Sequence, residues 1–326
     1  MECKTLYEFN FKKGRRDFSR IALILVSVFL ISEGGFYLLY YLADYRIANL
    51  FGGILSEADA QVLLSSAVMY LFAVPIALLL FRLLPSVRPE EGTLGKQFFS
   101  WLLICFPIMT AGAQIGNLLS ALLSGGNANN PVENVTDMSL WLEILCVTVL
   151  APVFEELLFR RAIIDHCIKY GERPAILFSA VAFALFHGNL FQFFYAFGIG
   201  LVFGYVYIRT GKLRYSILLH AIINFWGSVV TQFVITDPDS LFAAAGEASW
   251  LGILRIVITL NYLLIQYAAL AAGIVFLVKK LRCKLYFQSV PSIVPTGKVI
   301  RISFVNVGMI LFTLLCLVEF SLSLFM

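Results

Sequence analysis

LWLEILCVTVLAPVFEELLFRR, residues 140–161, reads as one apolar helix that reaches a basic boundary at Arg160-Arg161 and carries Glu155 and Glu156 about one turn inside it. Some twenty consecutive apolar residues are what a helix needs to cross the hydrocarbon of a bilayer. Comparable runs recur at 21–43, 62–81, 98–123, 174–190, 192–208, 215–235, 250–278 and 302–320. With 140–159 they predict an all-α, polytopic membrane helix bundle of eight core transmembrane helices plus a ninth at the C-terminus. A membrane β-barrel would show short alternating segments instead.

Composition agrees with that reading. The chain is 60% hydrophobic and only 13% charged, with a mean hydropathy of +0.88, which excludes an ordinary soluble domain. The basic residues set the expected orientation. Of 24 lysines and arginines, all but Arg46 and Arg255 fall in the first twenty residues or in the stretches after the second, fourth, sixth and eighth runs. The positive-inside rule then places the N-terminus and those loops on the cytoplasmic side of the membrane. The net charge of +4 is absorbed by this topology, so no nucleic-acid partner is expected. The first run reads as a signal anchor, not a cleaved leader. Six cysteines are scattered without metal-site spacing and read as packing residues. The chain divides into a basic segment 1–20, helices and loops 21–139, a polar-motif core 140–236 and C-terminal helices 237–326. The loop 124–139 contains Asn134-Val135-Thr136, a weak glycosylation match. Ala196, Gly200 and Gly204 form a small-residue stripe that reads as close packing inside the bundle, with a dimer contact as the alternative.

Ionised or polar side chains at membrane depth need a reason. Glu156 and Arg160 stand at i and i+4 and can pair on one helix face. Glu155 points elsewhere and is the candidate general base, with Glu156–Arg160 as its anchor. The competing reading puts both glutamates at the cytoplasmic interface among water and headgroups. His187 ends the apolar stretch FSAVAFALFH; it either helps activate water or caps a hairpin tip. If its helix begins at Pro174 and runs straight, His187 lies ~20 Å from the cytoplasmic end, far deeper than Glu155. His220 and Asn224, one turn apart, could hold an oxyanion. His166 reads as a solvated residue of a cytoplasmic helical stretch, 160–173, closed by Gly171 and Pro174. Glu143 and Arg255 are expected to snorkel toward water. Glu33 could line a cavity, and Trp226 reads as an interfacial anchor. No zinc-protease HExxH helix, nucleophile elbow or phosphate loop is present.

The ordered set Glu155-Glu156-x-x-x-Arg160, Phe183-x-x-x-His187 and His220-x-x-x-Asn224 resembles the three motifs of the CPBP family, over about residues 140–236. That family includes CAAX prenyl endopeptidases of the Rce1 type and bacterial proteins linked to bacteriocin processing and self-immunity. The resemblance implies a glutamate-dependent intramembrane endopeptidase acting on a membrane-associated peptide or protein. It implies that Glu155 and His187 activate water while His220 and Asn224 hold the oxyanion. Two histidines and a glutamate suit either zinc or a metal-free site. The alternatives are a membrane scaffold or immunity protein using the same residues for packing, and a transporter with Glu33, Glu155 and His187 as a proton path.

Overall fold

The computed structural model describes residues 11–52, 54–128, 130, 138–234, 250–283, 285–286 and 296–325, and among them the regular structure is entirely helical. The sequon at 134–136, Cys3 and most of the segment 285–300 lie outside the described residues. The helices are α1 (Phe11–Leu42), α2 (Glu57–Phe81), α3 (Gln97–Ser124), α4 (140–170), α5 (Glu172–Phe186), α6 (Leu190–Thr210), α7 (Leu213–Val230), α8 (Trp250–Arg282), α9 (Thr296–Phe304) and α10 (Val307–Phe325).

Seven of these are long and apolar enough to span a membrane, which makes the chain an integral membrane helix bundle. The two expected runs that fall outside this group are the ones bearing the first two motifs. α4 is not a uniform α-helix, since Glu143–Leu150 and Glu156–Ile164 are wound as π-helix. α5 has only 15 residues, about 22 Å at 1.5 Å each. π-helical turns also occupy Val68–Ala73 in α2 and Trp226–Val230 in α7. Such segments are rare and are often found at functional sites.

Glycines let the helices approach closely. A Cβ on Gly200 or Gly204 would lie 3.2 Å from Ala180 or Ile176, so the small-residue stripe of α6 packs on α5 inside the bundle. Gly112 and Gly116 of α3 face the backbone of α6 at Tyr195 and Leu190 with no space for a side chain. Gly273 seats α8 on α3, and Gly308 seats α10 on α1, where its N–H donates to Ser19 Oγ at 3.0 Å. The outward faces of α8 and α10 are dominated by Leu, Ile and Val, which suit lipid contact.

The basic loops gather at one end of the bundle. Val87 N–H donates to the Asp165 carbonyl at 2.7 Å, and Gly92 N–H to that of Thr210 at 2.8 Å. Lys169 pairs with Asp17 at 3.0 Å, Lys212 with Glu91 at 3.3 Å, and Arg209 with Glu172. This packing corrects the reading of His166. It is buried, with Nδ1 2.5 Å from the Ala162 carbonyl oxygen and Nε2 3.0 Å from that of Phe81, because the 82–96 loop folds over α4. Pro174 also does not close a helix. It stands in the first turn of α5, after the break at Gly171, whose φ of 118° suits only glycine.

Candidate active site

The turn at Gly171 removes the depth difficulty. α4 and α5 form a hairpin around it, and Glu155 and His187 are each sixteen residues from Gly171, one on either side. The correct origin for measuring depth is that turn, which lies beyond the Arg160-Arg161 boundary. Contacts across the hairpin fix the register. Ser179 Oγ donates to the Phe159 carbonyl at 2.7 Å, and the Phe159 ring meets Phe183 at 5.2 Å and Phe186 at 5.5 Å. Glu155, one turn before Phe159, is therefore level with the 183–187 turn. α6 and α7 make a second hairpin at Gly211 (φ 61°), which brings His220 beside Phe203 at 5.2 Å between ring centroids.

Glu156 and Arg160 are both fully buried, with Arg160 Nε 3.1 Å from Glu156 Oε2. The guanidinium carbon lies 4.4 Å from the Phe183 ring centroid and 5.4 Å from that of Phe203. Aromatic faces thus share with Glu156 the task of holding a charge away from water. The other oxygen of Glu156 accepts from His220 Nδ1 at 3.0 Å. That hydrogen bond fixes the ring so that Nε2 faces Glu155, 3.8 Å from its Oε2. His220 therefore bridges the two glutamates, a contact that the pairing of His220 with Asn224 did not anticipate. His187 donates Nδ1–H to the Phe183 carbonyl at 2.8 Å, which leaves Nε2 as an acceptor. Asn224 gives one amide proton to the Val147 carbonyl at 2.9 Å and keeps a second for another acceptor.

Glu155, His187, His220 and Asn224 all line one cavity of about 590 Å³ between α2, α3, α4, α5, α6 and α7. Arg160 and Glu156 stand behind its wall. A smaller cavity of about 360 Å³ shares Ser66, Tyr70, Glu155 and His187 with the first and is closed on its other side by Ser32, Glu33 and Phe36 of α1. The Tyr70 ring is stacked on Phe154 at 4.7 Å. No group of three or more His, Cys, Asp and Glu side chains among the described residues is arranged to hold a metal ion. The His187, His220 and Glu155 donors therefore do not fit a zinc ligand set as they stand, and no chemical step is derived through a metal.

Two residues depart from expectation. Glu143 does not snorkel: it is 1% exposed and lines the large cavity. Trp226 is no interfacial anchor; its indole N–H donates to Gln266 Oε1 at 2.6 Å and its ring stacks on Tyr262 at 5.3 Å.

Such a site, with two carboxylates, two histidines and an amide in and around one intramembrane cavity, defines a class of membrane protein built for polar chemistry in an apolar setting. Residues 137–226 match the family model described as type II CAAX prenyl endopeptidase, Rce1-like. The chain is 25% identical over 167 residues to the membrane-embedded CAAX protease MroQ of Staphylococcus aureus (strain USA300), covering 48% of this chain and 66% of that protein. It is 23% identical over 166 residues to "Putative membrane peptidase YdiL" of Bacillus subtilis (strain 168), covering 49% and 68%. Each match thus spans about two thirds of the relative's length. No solved structure matches the chain. These matches support the CPBP family for the motif-bearing core.

Proposed function

We propose that the chain is an intramembrane endopeptidase that hydrolyses a peptide bond of a membrane-associated or CAAX-like substrate. The observation that carries this reading is the convergence of Glu155, His187, His220 and Asn224, from three motifs on separate helices, on one cavity. Glu155 accepts a proton from water, and the free Nε2 of His187 orients that water as a second acceptor. The resulting hydroxide adds to the scissile carbonyl. The developing oxyanion accepts from Nε2–H of His220, whose ring is oriented by Glu156, and from the second amide proton of Asn224. Glu155 then returns its proton to the leaving amine, so the water is consumed and a carboxylic acid and an amine are released, the acid losing its proton to solvent. Glu156 and Arg160 are positioning residues that fix the His220 ring.

Reconstituted wild-type protein, offered a prenylated CAAX peptide and a non-prenylated lipid-anchored peptide in parallel, tests reaction and substrate together. A product made by wild type and missing from Glu155→Gln and His220→Ala supports the peptidase. Full cellular function in both variants without cleavage would establish the scaffold or immunity role in its place. Elemental analysis tests the zinc expectation: about one zinc per chain would turn Glu155, His187 and His220 into ligands. For the orientation, the proposal places residues 82–96, 160–173 and 209–214 in the cytoplasm. A single cysteine at position 169, in a background without the native cysteines, should label in sealed cells only with membrane-permeant reagents; labelling by an impermeant one overturns the orientation.

A further inference from the structure

Glu143 is a buried acid with no charge to answer it among the described residues. Its side chain lines the catalytic cavity, and among the described residues no cationic side chain pairs with either carboxylate oxygen. Its polar neighbour in the same wall is Ser228, a neutral hydroxyl within reach of both Glu143 and the Asn224 carbonyl, which lies 2.8 Å away. No lysine or arginine lines the cavity, whereas at the other end Glu156 is met by both Arg160 and His220. A carboxylate buried without a partner is costly, and the cost is removed when a ligand brings the missing charge.

Its position along the cavity follows from two helices in register. On α7, His220, Asn224 and Ser228 follow one another at four-residue steps along the cavity wall. On α4, Glu156 meets His220, Val147 meets Asn224 and Glu143 meets Ser228. Eight residues of helix separate His220 from Ser228, ~12 Å of rise. An extended peptide advances ~3.3 Å per residue, so ~3–4 residues separate a group at Glu143 from the scissile carbonyl.

We propose that Glu143 is a specificity-determining carboxylate that binds a cationic group of the substrate, an alkylammonium or guanidinium, three to four residues from the bond that is cut. The group comes from a lysine or arginine side chain or from the peptide's own amino terminus. This assignment rests on the peptidase reading of the same cavity.

The test reads binding, not cleavage, in full-length Glu155→Gln protein in nanodiscs. The probes are fluorescent ten-residue peptides with a C-terminal alkyl anchor, carrying lysine or norleucine at successive positions, each with a free or acetylated amino terminus. Lysine at one position, or the free terminus, should tighten binding about tenfold or more over the uncharged counterpart. Which of the two does so identifies the source of the cation. Adding Glu143→Gln should erase that difference and leave the affinity of the norleucine, acetylated peptide unchanged. Glu143→Asp, which keeps the charge, should retain the preference and serves if Glu143→Gln misfolds. No cation preference at any position, or a preference that survives Glu143→Gln in folded protein, overturns the proposal. Absence of hydrolysis by wild type would sink the peptidase reading and leave this binding result standing by itself.

Discussion

The two ends of the large cavity treat the same side chain in opposite ways. At the end near Gly171, Glu156 is fully committed, with one oxygen to Arg160 and the other to His220. Glu155 beside it keeps an open face to the cavity. At the other end Glu143 is 1% exposed and, among the described residues, meets the neutral Ser228 hydroxyl but no cation. Carboxylates of one chemistry are thus sorted by what surrounds them: one held on both oxygens, one open to the cavity and one without a cationic partner among the described residues. The lesson is that burial alone does not assign a role to an intramembrane acid, whereas the number of its partners does.

Substitutions can break this contrast in order of severity. Glu155→Gln should abolish turnover, a loss of roughly 10²–10⁴ for a general base, while the protein elutes and melts as wild type; measurable wild-type cleavage would remove Glu155 from the chemistry. His220→Ala should lower turnover by roughly 10²–10³ with substrate affinity changed much less, read as a split between kcat and KM. Glu156→Gln should act on the fold as well. It leaves Arg160 buried and uncompensated at a cost of about 3–5 kcal/mol, seen as a lower thermal midpoint in detergent. A Glu156→Gln protein as stable as wild type would show that Phe183 and Phe203 suffice for the guanidinium. The smallest effect is expected from Trp226→Phe, which loses the hydrogen bond to Gln266 at about 1 kcal/mol and should leave hydrolysis intact.

Much of this was legible in the residues. Long apolar runs and clustered basic loops dictate a helix bundle, and i,i+4 spacing brings Glu156 to Arg160. Three features were hidden because they depend on how helices meet. Twelve residues of ideal α-helix would leave Glu143 and Glu155 ~120° apart, on different faces. The π-helical turns at Glu143–Leu150, with more residues per turn, bring both to one cavity. His166 looked solvated because it sits among charges, yet the 82–96 loop covers it. The level meeting of Glu155 with His187 required knowing that the α4–α5 turn lies at Gly171, a residue set apart in sequence by being the one glycine before Glu172-Arg173-Pro174.

The seat of α10 on α1 bears on how the molecule is made. Ser19 and Gly308 touch across 289 positions of chain, so α1, the first described helix to leave the ribosome, waits in the bilayer until the last one arrives. In the interval its Ser19 face must be covered by lipid or by an insertion factor. The same helix supplies Ser32, Glu33 and Phe36 to the chamber behind Glu155 and His187. The helix that walls this chamber is thus also the one that must wait longest for its partner α10.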